Sequence, residues 1–131
     1  MAQENVEIVR AAIDAWNRGD WDATLKDAAP SFEFDFSRSM GPGRGVYSLD
    51  QMGQYFREIT EAWQSRRLEP DEIIEAGEQI VTPNTLYVQG RDGIKLQASS
   101  AWVWTLRDGR VAHICFYQGR REALEAVGLS E

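Results

Sequence analysis

Glu33 and Asp35 stand two apart in the alternating run Ser31-Phe32-Glu33-Phe34-Asp35-Phe36. Two carboxylates on one strand face can hold their pKa values apart and share acid and base work. Asp35 reads first as a solvated or turn-capping carboxylate and second as a general base. Alternation sets both acids opposite the three Phe, so they enter an apolar hollow only where the strand is bulged. His113 is the only histidine, a side chain that titrates near neutral pH or sits on a sheet surface. It shares a strand face with Cys115, and two ligands without a third give no metal site. Tyr55 stands on a helix as a hydroxyl donor or a half-buried edge residue. Asn84, beside Pro83 and in parity with Thr82 and Leu86, can orient a ligand carbonyl. Trp102, Trp104 and Phe116 are expected to line or fill a hollow, Trp102 as its wall with one indole N–H to donate.

These residues need a scaffold that brings them together. Val6, Val9, Ile13 and Trp16 recur at helical steps and predict a helix over about 4–18, ended by Gly19. Asp20 caps a second helix from Trp21 to about Ala28, which Pro30 stops. Residues 31–36 form a strand with three Phe on one face. Ser37–Gly45, with four Gly or Pro, is a loop long enough to act as a flap over a pocket mouth. Ser48 and Gln51 make a capping box, with Tyr47 and Met52 at the staple positions of a helix running to about Ser65. Four antiparallel strands follow: 68–76, 79–91, 94–106 and 111–117. The turns are Gly77-Glu78, Asp92-Gly93 and Asp108-Gly109. Pro83 predicts a bulge or an edge position. Residues 120–127 close the chain as a helix. By apolarity, Ala112, Ile114 and Phe116 face inward and His113, Cys115 and Tyr117 outward.

The 131 residues make one α+β domain, 1–131. Fourteen basic against 21 acidic residues give a charge of −7, which disfavours nucleic acid and anionic membranes as partners. A single Cys excludes an internal disulfide framework. The polar start and the absence of a long apolar run point to a cytoplasmic protein.

The order of elements, with Ala15-Trp16-Asn17-Arg18-Gly19-Asp20 between the first helices, resembles the nuclear transport factor 2-like superfamily. It looks most like the SnoaL-like branch. Gly43-Arg44-Gly45, Val103–Arg110 and Glu122–Leu129 carry the rest of the resemblance. The resemblance implies a cone-shaped curved antiparallel sheet wrapped around N-terminal helices, a pocket in its hollow, and a homodimer through the convex face. It also implies cofactor-free acid–base chemistry (isomerase, cyclase or lyase type) on a small apolar carbonyl compound. Asp35 is the nearest match to the ketosteroid isomerase base, after a one-residue shift. Ala12 stands where isomerases carry an oxyanion-holding Tyr, and Trp102 where isomerases and SnoaL-type cyclases carry an Asp. These losses support an alternative: a non-catalytic ligand-binding or dimerisation module.

Overall fold

The computed structural model describes residues 2–130. Helix α1 (Ala2–Arg18) buries Val9, Ile13 and Trp16 along one stripe. Gly19 ends it in the left-handed region at φ +72°. Asp20 Oδ1 accepts the Ala23 N–H at 3.1 Å and starts α2 (Trp21–Thr24). This helix is shorter than the sequence suggests. The chain enters strand β1 (Ala28–Asp35) ahead of Pro30, so Pro30 lies in a strand and stops nothing. The β1 pairing slips between Ala28 and Glu33, which keeps Pro30 out of the regular ladder.

A short strand β2 (Val46–Ser48) pairs with β1 where only loop and cap were expected. The Ser48 N–H donates to Gln51 Oε1 at 2.9 Å across a 3-10 turn, Leu49–Gln51. Helix α3 (Met52–Ala62) follows, burying Met52, Tyr55, Phe56 and Ile59. Strands β3 (Ser65–Pro70), β4 (Ile74–Ala76), β5 (Gln79–Gln89), β6 (Lys95–Arg107) and β7 (Arg110–Tyr117) precede helix α4 (Arg120–Ala126).

The sheet order is β2-β1-β7-β6-β5-β3, with β4 also on β5. The α+β architecture is the expected one, but the sheet is mixed: β1 runs parallel to β7. Asp108 at φ 53° and Gly109 at φ 74° make the left-handed pair that a tight β6–β7 hairpin needs. A register slip between Thr105 and Leu106 puts Val111, not Ala112, on the inner face with Ile114. Pro83 is neither bulged nor at an edge. It pairs with Ala101, and its carbonyl accepts the Asp71 N–H at 2.7 Å in the gap between β3 and β4. In that gap no ladder bond is asked of its missing N–H.

The inner face of the sheet wraps α1 and α3 around one aromatic core. Phe34 and Phe36 stack at 4.0 Å, and Phe34 meets Tyr55 edge-on at 4.5 Å. On the outer face, Val81, Ala101 and Val103 are covered by Ala123 and Leu124 of α4. The homodimer expected through that face is therefore denied the centre of the sheet, where α4 lies. One side-chain clamp fixes the free edge. Asn17 Nδ2 donates to the Leu68 carbonyl at 2.9 Å, and the Leu68 N–H donates to Asn17 Oδ1 at 2.7 Å. The carboxamide thus pairs with β3 as a neighbouring strand would.

Candidate functional site

The apex of the cone is full. Between Ala12, Phe32, Trp104 and Ile114 only about 20 Å³ stays open, room for roughly one water. The open end keeps a hollow of about 240 Å³. Its walls are Phe36, Tyr55, Ile59, Trp63, Leu86, Val88, Leu96, Ala98, Trp102 and Phe116, with Trp16 and Arg66 on one side. Ser39, Met40, Gly41 and Pro42 close over it from the glycine-rich loop, so this loop does roof the mouth.

The loop is held at its neck. Phe36 and Gly45 exchange N–H···O bonds at 2.7 and 3.3 Å, and Ser39 N–H returns to the Phe36 carbonyl at 3.1 Å. Gln118 Nε2 donates to the Arg38 carbonyl. Gly43 lies against the core at φ +82°, and a Cβ there would stand 2.7 Å from Tyr55 Cε1 and 3.2 Å from Ile59 Cγ2. Gly43→Ala is therefore expected to cost about 2 kcal/mol, from left-handed strain together with overpacking. Urea denaturation of the purified variant measures it, and a midpoint equal to wild type would show that Tyr55 yields freely.

The charge of the site is unusual in kind. Among the described residues lining the hollow, Arg66 alone is charged, and no carboxylate or imidazole faces in. Arg66 lies on the inner face of β3, opposite Val88. Its Cζ sits 5.2 Å from the Trp16 ring centroid and 4.8 Å from that of Trp21, two cation–π contacts that hold the guanidinium without neutralising it. Its Nε is buried with no hydrogen-bond partner. Burial lowers the Arg66 pKa, but a guanidinium keeps its proton in proteins.

Asp35 does not serve this hollow. It lies on the outer face, paired with Cys115 across the parallel ladder. Burial raises its pKa, but the Ser37 hydroxyl at 2.6 Å, the Ser37 N–H at 3.0 Å and the Arg38 charge outweigh that and lower it. The strand is regular at Glu33–Asp35, so strict alternation holds and the turn-capping reading describes Asp35. Glu33 shares that face, and its Oε1 lies 3.2 Å from His113 Nε2. Arg38 Nη1 donates to Cys115 Sγ at 3.3 Å and stacks over Tyr117. Burial pushes the Cys115 thiol up. Among the described residues no group of three His, Cys, Asp or Glu is placed to hold a metal.

The other expected site residues divide. Trp102, Tyr55 and Phe116 do line the hollow. Tyr55 is fully buried rather than at an edge, and its oxygen accepts the Trp16 Nε1–H at 3.2 Å. Burial raises its pKa, so the phenol stays protonated well into the alkaline range, and no acceptor takes its proton among the described residues. Trp102 Nε1 is buried without a partner. Trp104 belongs to the packed apex, where its Nε1–H donates to Thr82 Oγ1 at 3.0 Å. Asn84 is 1% exposed on the inner face and has no partner for either amide atom. Arg66 was not anticipated, and Trp16 was expected as part of a helix stripe rather than as a wall of the hollow. The alternation Arg66, Leu68, Pro70 was the one available signal for Arg66.

A family model described as the SnoaL-like domain matches residues 9–114. Comparison with curated proteins finds no match. Among solved structures, an NTF2-like protein of unknown function from Burkholderia pseudomallei is similar at 25% identity and TM-score 0.78, covering 95% of this chain and 98% of that one. TerC, co-crystallized with polyporic acid, is similar at 20% identity and TM-score 0.77, over 95% and 97% of the two chains. A protein of ketosteroid isomerase-like fold from Catenulispora acidiphila, in complex with trimethylamine, is similar at 14% identity and TM-score 0.75, over 94% and 93%. No helix of the described residues is long and apolar enough to cross a membrane.

Proposed function

The chain belongs to the SnoaL-like domain family, and from that premise we propose that it binds a small apolar molecule carrying one anionic group, with Arg66 receiving the anion. The observation that carries this reading is Arg66, the one charged residue among the described residues lining an otherwise apolar hollow, with its buried Nε unpartnered. Arg66 is half-buried, so its charge is partly screened by solvent, and an anionic ligand offsets the share of hydration that the hollow takes away. Solved proteins of the same fold have been crystallised with small molecules, polyporic acid and trimethylamine among them, which supports a binding role for the hollow.

Isomerase, cyclase or lyase chemistry retains one supporting observation. Tyr55 O–H and Trp102 Nε1–H are neutral donors able to stabilise a developing oxyanion. Proton abstraction also needs a base within hydrogen-bond reach, and Asp35 and His113 both face outward. Binding without catalysis is therefore the reading we adopt.

Two probes of one shape test it. Trp16, Trp63 and Trp102 line the hollow, so ligand entry is read as tryptophan quenching. 2-Naphthoate is expected to bind about tenfold more tightly than 2-naphthylmethanol, since a charge-assisted bond outweighs a neutral one by roughly that factor. Equal affinities, or no quenching by either, would remove the anion-binding role.

A further inference from the structure

We infer that the floor of the hollow holds a second polar subsite, in which the Asn84 carboxamide and the Trp102 indole N–H take a neutral hydroxyl or carbonyl group at the far end of the ligand. This rests on the anion-binding reading of Arg66 and completes it as two-point recognition.

Three observations carry the inference. Asn84 is 1% exposed, and neither its Nδ2 nor its Oδ1 has a partner. Such a residue is rare, because a buried amide lacking both bonds loses its water contacts and gains nothing back. Second, Trp102 Nε1 is buried and equally unpartnered. Third, the two residues lie together. Asn84 faces Ser100 across the β5–β6 ladder, and Trp102 follows two positions on, on the same inner face. Leu68, Leu86 and Ser100 around Asn84 line the hollow; Asn84 lies one layer beneath them, so its amide meets a ligand when Leu86 or Ser100 shifts aside.

The chemistry of the pair fixes the ligand group. A carboxamide both donates and accepts, and an indole only donates. A hydroxyl satisfies all three, giving its proton to Asn84 Oδ1 and taking N–H bonds from Asn84 Nδ2 and Trp102. A carbonyl takes the two donated bonds alone. A second carboxylate would meet no cation there. Along β5, Val88 opposite Arg66 and Asn84 are four residues apart, about 13 Å at strand rise. Side chains reaching in from both ends shorten that span to the length of a fused bicyclic ring with substituents at opposite ends. The ligand class is thus an aromatic or polycyclic acid with a distal hydroxyl or carbonyl.

The test compares 2-naphthoate with 6-hydroxy-2-naphthoate on the intact protein. Wild type is expected to bind the hydroxy acid about tenfold more tightly. Asn84→Leu should erase that advantage while holding 2-naphthoate affinity within about twofold. The Trp102 indole ¹H–¹⁵N cross-peak should move further downfield with the hydroxy acid than with the plain acid, as a new N–H···O bond requires. Should Asn84→Leu not fold, Trp102→Phe must lose the advantage instead. Equal binding of the two acids by wild type, as when water alone fills the subsite, overturns the inference and leaves Arg66 untouched. An advantage that survives Asn84→Leu overturns it as well. Failure of both acids to bind overturns the subsite and the anion-binding reading together.

Discussion

Arg66→Gln is expected to weaken 2-naphthoate binding about thirtyfold and to leave 2-naphthylmethanol within about twofold. The factor follows from a charge-assisted bond worth about 2 kcal/mol in a site partly closed to water. Gln keeps much of the volume against Trp16 and Trp21 and removes only the charge. Arg66→Lys should recover part of the loss, since it restores charge without the planar fork. A fluorescence titration with all three proteins decides the matter. Parallel losses for acid and alcohol would mean that Arg66 only shapes the wall.

The second large effect is on stability. Asn17→Ala is expected to destabilise the fold by about 4 kcal/mol, because it strips partners from two backbone groups of Leu68 at once, each worth about 1–3 kcal/mol when buried and unpaired. Leu68 is buried, so water does not readily replace the carboxamide. Asn17→Asp is informative beside it. A carboxylate still accepts the Leu68 N–H but cannot donate to its carbonyl, so its cost should fall between the two. Urea midpoints for the three proteins give the order. A wild-type midpoint for Asn17→Ala would mean that the edge strand finds other partners.

Periodic features of the chain were legible. The stripe Val9, Ile13, Trp16 gave α1, and the alternation of Leu96–Tyr117 with a left-handed Asp108-Gly109 turn gave β6 and β7. The inner position of Phe32, Phe34 and Phe36 also followed from period alone. Partners that depend on distant segments did not. Nothing local to Ala28–Asp35 says that it will lie parallel to β7. Pro83 signals a missing donor, yet its place opposite the gap between β3 and β4 depends on where two other strands end. Arg66 was hidden by neighbours of its own kind, since only the register with Val88 turns it inward and Arg67 outward. For Asp35, alternation already opposed the role that resemblance offered, and the ladder followed alternation.

The parallel pairing of β1 with β7 also bears on how the hollow comes into being. Every other neighbour in the sheet joins strands that are close in sequence, while Glu33 waits for His113. Pairings that far apart pay their loop-closure entropy before they return any contact, so they slow folding and come late. Phe36, which walls the hollow, follows directly on that strand, and Phe34 beside it packs the apex. During synthesis, the helices and the β5–β6 ladder can form while this wall is still unanchored. The chamber is sealed only when the last strand arrives, and a ligand met before then would find a groove open along one side.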